Sequence, residues 1–452
     1  MGIGEDLDRA IERRWVAAQA ELVELCAQPS ISAQGTGMQE MVRLVERALQ
    51  RRGFDTRVVP TARHPAVIAR RRGAKDRTLL FYNHYDVQPP EPLELWTSPP
   101  FQPTVRDGKL FARGVMDDKG HLACRLAAVD AVTDVLGELP CAVTFLVEGE
   151  EEIASPSLPA LVAEHRSELA ADLCLWEFGD VDSSGCSVQY LGFRGILYVE
   201  LSVKALARDC HSGVWGTVLP NAAWRLTWAL STLKSPDERV GIRGFYDRVV
   251  PPSDVDRQLM GRLPPISDEE RSALGARTLI CPPAPPEFYE HAVMTPSCTI
   301  CGLSSGYQGE GQKTIMPARA SAKVDFRLVP DQGPEEILEK LRTHLDAHGF
   351  QDVEVACIGK LEPARTPVDA PWVAMVVESA REVYGQPQRI HPMSGGSGPA
   401  SLFRKHLGVP VVTAGVGYPG SAIHAPDEHI RLEDFKNGIR HTARILAEMG
   451  RA

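Results

Sequence analysis

The sequence predicts an α/β protein, a helix-covered and mostly parallel sheet interrupted by an inserted α+β domain. Three observations predict this. Apolar strand runs alternate with amphipathic helices over residues 1–190, each run ends abruptly in polar residues, and a differently patterned middle gives way to a final segment like the first. The expected division is 1–190 for the first part of the main domain, 191–359 for the insertion and 360–452 for the return.

Helical periodicity covers residues 6–27 and 38–52, followed by short strands at TRVVP and AVIARR. TLLFYNHYDV reads as a buried strand. Helix DDKGHLACRLAAVDAVTDVLG, strand CAVTFLVEGEEE, helix SLPALVAEHRSELA and strand DLCLWEFG follow with short connections. Repeated strand-helix-strand units place the polar strand ends along one edge, where open sheets bind ligands. In the insertion, ILYVELSVKA, ASAKVDFRLV and VEVACIG are strands, while PNAAWRLTWALSTLK and PEEILEKLRTHLDAHG are helices. Residues 235–318 are punctuated by proline and glycine and yield no pattern. Helix PWVAMVVESAREVYG and strand VPVVTAG return to the first domain.

A formal net charge of -10 gives no whole-chain attraction to nucleic acid or anionic membrane. No run approaches the roughly 20 apolar residues that span a bilayer. The start, MGIGEDLDRAIERRW, lacks a secretory pattern, and Asp6 stands where an acylation signal requires serine or threonine. A cytoplasmic protein without nucleic-acid or membrane partners is expected. Ten cysteines in 452 residues are too sparse for a disulfide scaffold, and the Cys298/Cys301 pair, in apolar surroundings, predicts buried strand thiols.

The chemistry-bearing residues stand at strand ends. His84 and Asp86, two apart, point to one face, where an imidazole offers one nitrogen to a metal and the aspartate takes a hydrogen bond from the other. Taken alone, the same pair fits a solvated turn. Asp117 precedes a helix, so it fits a cap as well as a carboxylate shared by two cations; Asp118 fits a cap or a supporting role. CAVTFLV leads into Glu148, Glu150, Glu151 and Glu152, which form a solvated turn or face inward. In the second case, adjacent Glu151 and Glu152 divide proton transfer from metal holding. Glu177, with Asp180 as local competitor, and His424 in a glycine- and proline-rich loop complete the candidate set. The carboxylates of Asp117, Glu152 and Glu177, together with a hydroxide, balance two divalent cations beside neutral His84 and His424. Zinc suits these nitrogen and oxygen donors and hydrolysis, with manganese and cobalt as alternatives.

YNHYDVQP, ARGVMDDKG, VEGEEE, DCHSGVWG, GEGQKTIMPARASAKVDFRLVP, MSGGSGP and SAIHAPDE occur in that order along nearly the whole chain. By these segments the chain resembles the M20 family of metallopeptidases, especially its dipeptidase and carnosinase-like branches. The resemblance implies a metal-bearing catalytic domain and an inserted lid domain that often dimerises, hence a homodimer. It implies terminal metal ligands at His84, Glu152, Glu177 and His424, a bridging Asp117, a histidine-supporting Asp86 and a general base at Glu151. From the lid it implies His211, often supplied by the partner subunit, to polarise the substrate carbonyl, and Arg327 to engage a substrate carboxylate. Ser394, Gly395, Gly396 and Ser397 resemble a substrate-binding loop. Arg327 stands in an otherwise apolar strand, where it must reach solvent or recognise an anion.

Two departures bear on substrate. Glu177 stands where carnosinase-like members often carry aspartate, and His391-Pro392-Met393 stands where an arginine-glutamate pair is common. The expected reaction is hydrolysis of the amide in a dipeptide or small peptide with a free carboxylate. The rivals are an N-acyl-amino-acid deacylase and a noncatalytic metabolite-binding or scaffold protein of the same fold.

Overall fold

The strand Lys75–His84 lies inside a six-stranded sheet because its TLLFY run is apolar on both faces. Leu79 and Phe81 join the core formed with helices Ile3–Ala27, Lys119–Leu136 and Leu432–Arg451. Tyr82 is buried on the opposite face, against Trp176 and Phe403. The structure, a computed structural model, describes residues 2–451, with the backbone alone at residues 269, 270 and 273.

From edge to edge the sheet runs Asp55–Val59, Ala66–Arg71, Cys141–Glu148, Lys75–His84, Leu173–Leu175 and Val411–Val412. The first two pairings are antiparallel and the other three parallel, so the fold is α/β with a mostly parallel sheet. Helix Lys119–Leu136 stops at Gly137, whose φ of 80° suits glycine and whose amide bonds the Thr133 carbonyl. In helix Leu432–Arg451, Phe435, Ile439, Ala443 and Leu446 recur every three or four residues and are all buried. Each large apolar side chain so buried contributes roughly 1.5–3 kcal/mol.

Several elements are shorter than their sequence patterns. The strand of TLLFYNHYDV ends at His84: the Tyr85 amide makes the last bond to the neighbouring strand, at the Glu148 carbonyl, and the Val87 amide turns away to the Ser30 carbonyl. DLCLWEFG keeps strand pairing only over Leu173–Leu175, leaving Glu177 in the following loop. SLPALVAEHRSELA is α-helical only over Leu158–Glu164, and PWVAMVVESAREVYG divides into Val373–Ser379 and Arg381–Tyr384.

The chain forms two compact units. One comprises the residues up to Leu191, Thr366–Pro392 and those from Leu402 onward; the other comprises Gly192–Arg365 and Met393–Ser401. The second unit holds an antiparallel sheet in the order Ser297–Ser305, Arg319–Leu328, Gly195–Lys204 and Glu354–Leu361. Leu197, Val199, Leu201 and Val203 alternate inward against helices Ala222–Leu233 and Pro334–Ala347. Asn221 caps the first of these helices, accepting the Ala223 and Trp224 amides. The stretch 235–318 contributes helix Asp254–Met260, closed by a Ser253/Asp256 capping box, and edge strand Ser297–Ser305. Cys298 is buried in that strand as expected. Cys301 is exposed, at the point where the register shifts between Ile300 and Gly302. No helix among the described residues is long and apolar enough to cross a membrane.

Candidate metal centre

At the carboxyl ends of the parallel strands, His84, Asp117 and Glu152 bring ligand atoms within 4.8 Å of one another. His84 is the last residue of its strand, Glu152 lies in the helical turn Glu151–Ile153 after strand Cys141–Glu148, and Asp117 precedes helix Lys119–Leu136. His84 Nε2 lies 3.1 Å from Asp117 Oδ1, while His424 Nε2 lies 3.0 Å from Asp117 Oδ2 and 3.3 Å from Glu152 Oε2. Asp117 therefore turns one oxygen to each histidine. His424 reaches it from a loop in which its own φ is +59°, a left-handed conformation that non-glycine residues adopt at a cost. Glu177 is buried two residues past its strand, and its Oε2 has no hydrogen-bond partner among the described residues.

The acidic run separates into four roles. Glu148 is buried and accepts the Tyr82 hydroxyl at 2.6 Å and the Ser155 hydroxyl at 2.9 Å. Glu150 ties down a loop by accepting the hydroxyl of Thr61 and the amides of Arg63, His64 and Ser157. Glu152 faces Asp117 and His424, and Gln88 donates to its Oε2 at 2.8 Å. Glu151 lies close enough to His84, Asp117 and Glu152 for their charges to act on it.

Asp86 lies beyond the strand, yet its Oδ1 is 3.4 Å from His84 Nδ1, and its carboxylate accepts the amides of Glu151 at 3.2 Å and Glu152 at 3.0 Å. Asp118 occupies the helix N-cap position without a capping bond. Its carboxylate accepts Asn83 Nδ2 at 2.6 Å and the His84 amide at 3.1 Å. The capping alternative therefore fails for Asp117, which lies before the cap and faces the histidines. Two supports escaped the sequence reading. His121 Nδ1 donates to the Met116 carbonyl at 2.8 Å, and its Nε2 accepts the amides of Gly179 and Val416. Glu428 accepts Arg113 Nη1 and the amides of Gly114, Met116 and Asp117. The only local signal for Glu428 is an acid four residues past His424.

The charges interlock. Burial opposes a charged Asp117, but His424 and His84 outweigh it and hold the carboxyl well below the usual range. Burial also opposes a charged His84, and Asp117 and Asp86 overcome it and raise the imidazole well above its ordinary value. Contacts with Asp117 and Glu152 bring His424 up to about 10. Burial, followed by the Glu151 charge, pushes Glu177 well above the carboxylate range, and burial pushes Glu151 up to about 8. The imidazoles of His84 and His424, the carboxylates of Asp117 and Glu152 and the unpartnered buried Glu177 oxygen form a mixed nitrogen and oxygen donor set that fits a divalent metal cofactor.

Asp180 is not among the clustered groups; the Tyr190 hydroxyl donates to its Oδ2 at 3.3 Å. His391 stacks obliquely on Tyr190, ring centres 5.1 Å apart. The remaining candidates belong to the second unit. His211 is exposed, and its Nδ1 accepts the Gly213 amide at 3.0 Å. Arg327 Nε donates to Asp325 at 3.1 Å and Nη1 to the Ser397 hydroxyl at 2.8 Å. Ser394 is fixed to the Gly192 carbonyl, and the Gly396 carbonyl accepts the Arg194 amide, while Gly395 and Gly396 are exposed.

Residues 80–448 match Peptidase family M20/M25/M40. The Cys-Gly metallodipeptidase dug1 of Schizosaccharomyces pombe is 27% identical over 375 residues, covering 80% of this chain and 78% of that one. The Beta-Ala-His dipeptidase of Homo sapiens is 26% identical over 382 residues, covering 82% and 75%. Among solved structures, the M20 family metallo-carboxypeptidase Sso-CP2 from Sulfolobus solfataricus is 36% identical, with a TM-score of 0.91 over 96% of this chain and 99% of that one. A donor cluster at the strand ends and a family match spanning most of the sequence agree: the chain belongs to the M20 metallopeptidases.

Proposed function

We propose that the protein is a two-cation hydrolase that cleaves the amide bond of dipeptides or small peptides carrying a free carboxylate, with zinc as the metal its donors suit best. The observation that carries this reading is Asp117, whose two oxygens face two different histidines. His84 with Glu177 and His424 with Glu152 would hold the two cations, with Asp117 available to both. Cations bound there supply positive charge and lower the pKa of water. Glu151 takes the proton of the attacking water and passes it to the leaving nitrogen, while the grip of Asp86 on its amide fixes its position. His211 polarises the substrate carbonyl. Arg327, oriented by Asp325 and Ser397, binds the substrate carboxylate, and the Ser394–Ser397 loop supports it.

The relatives' names, two dipeptidases and one carboxypeptidase, share a bond that precedes a C-terminal residue. We also read the chain as a cytoplasmic homodimer. Ten free cysteines support a reducing compartment. The second unit exposes Trp224 and Trp228, and Ile300 and Leu303 on its edge strand, which supports self-association.

The test assays metal-loaded protein on parallel panels of dipeptides and N-acyl amino acids, with Glu151→Gln as control. Peptide turnover is expected, and Glu151→Gln should retain both ions while turnover falls about 100- to 10,000-fold. Clear preference for the acyl panel overturns the peptidase reading, and failure on both panels favours a noncatalytic protein. Sedimentation of the same sample tests the dimer.

A further inference from the structure

The pairing between strands Lys75–His84 and Leu173–Leu175 ends at Phe81 opposite Leu175. One residue later, Tyr82 and Trp176 carry carbonyls that no longer belong to that ladder. Arg125, from helix Lys119–Leu136, meets both: Nη1 donates to the Tyr82 carbonyl at 2.6 Å and Nη2 donates to the Trp176 carbonyl. Its guanidinium lies 5.6 Å from the centre of the Phe81 ring, and the residue is only 1% exposed. On its far side Trp176 is tied by its amide to the Val412 carbonyl at 2.8 Å. Just beyond the two bridged carbonyls stand His84 and Glu177.

We propose that Arg125 is a positioning residue for the metal centre, a guanidinium staple that sets the separation of the two strand ends delivering His84 and Glu177. The inference rests on the metal-hydrolase reading. Arginine is suited to this because its planar fork spans two acceptors at once, whereas a lysine ammonium is a single point of charge. A buried cation is costly to desolvate, so its retention here calls for compensation. Its two carbonyl bonds and the face of the Phe81 ring offset part of that cost. Arg52 makes the contrast. It is also buried, but its guanidinium joins Glu21, Asp130 and the Ala48 and Leu126 carbonyls, all on helices, and among the described residues its one strand contact is to Arg71, on a strand that carries no ligand.

The test compares the parent full-length chain with Arg125→Met, Arg125→Lys and Arg52→Met. Zinc affinity is measured by chelator competition, the cobalt-loaded site by its visible absorption spectrum, and the fold by unfolding midpoint. Both Arg125 variants should bind zinc about 10- to 100-fold more weakly, with an altered cobalt spectrum. Arg52→Met should lose stability and keep parental affinity. If Arg125→Met does not fold, Arg125→Lys decides. The proposal is overturned if folded Arg125→Lys keeps affinity within about twofold of the parent and an unchanged cobalt spectrum, or if Arg52→Met loses as much affinity as the Arg125 variants. A parent that binds no zinc refutes the metal-hydrolase reading instead, and the staple with it.

Discussion

The carboxylate of Glu428 accepts the backbone amide of Asp117 at 3.1 Å. The same carboxylate accepts the Met116 and Gly114 amides, each at 2.9 Å, and Arg113 Nη1 at 2.8 Å. Because Glu428 follows His424 in the same loop, the segment that supplies one histidine also fixes the segment that supplies the carboxylate between both. Glu428→Gln keeps the shape, removes the charge and leaves Arg113 buried without its partner. The expected loss is about 3–5 kcal/mol of stability, measured by denaturant unfolding, together with reduced metal content. Parental stability would show that the clasp is dispensable.

Glu177 and Asp180 are separated by their surroundings. Glu177 is buried with an unpartnered oxygen, while Asp180 accepts the Tyr190 hydroxyl. Glu177→Gln should lower zinc affinity at least tenfold, and Asp180→Asn should leave it within about threefold. Competition with a chromophoric chelator distinguishes them, and the opposite ranking would transfer the ligand role to Asp180.

Arg327 offers a test of substrate class. Arg327→Met should raise KM for peptides with a free C-terminal carboxylate by about 10- to 100-fold, the scale of a lost charged hydrogen bond. C-terminally amidated peptides, poor substrates of the parent, should be little affected. Equal losses on both would remove Arg327 from carboxylate recognition.

His441 sets a pH dependence away from the metal. It is buried, its Nε2 donates to the Val376 carbonyl at 3.1 Å and to the Ser379 hydroxyl at 3.0 Å, and burial pulls its pKa down to about 4. Below its ordinary value near 6.5 the unfolded chain takes up a proton that the folded chain refuses. Stability from this group is therefore complete above about pH 6.5 and declines as pH falls toward 4, by about 3 kcal/mol in all. His441→Gln should be less stable than the parent at pH 7.5, and the gap should shrink at pH 5. Urea unfolding at both values checks the sign, and a gap that widens in acid would contradict it.

What the sequence made legible follows from range. Strands ending in polar residues announced where His84 and Glu148 would stand, since an apolar run that stops abruptly is a local pattern. Alternation did not relate His84 to Asp86, because the strand ends between them. The acidic run was visible, but its division was not: Glu150 is claimed by Thr61, His64 and Ser157, and only Glu152 joins the clustered ligands. Asp117 stayed ambiguous until the helix was seen to start at Lys119. His121 and Arg125 left no readable signature, and Glu428 only its place after His424, because most of their partners are backbone groups from distant loops and strands. Backbone partners carry no residue identity for a sequence to display.

The central claim is that Asp117 joins two cations, and anomalous diffraction from crystals grown with zinc tests it most directly. Two peaks are predicted, one at each Asp117 oxygen, the first shared with His84 and the second with His424. A single ion, or ions remote from Asp117, would contradict it.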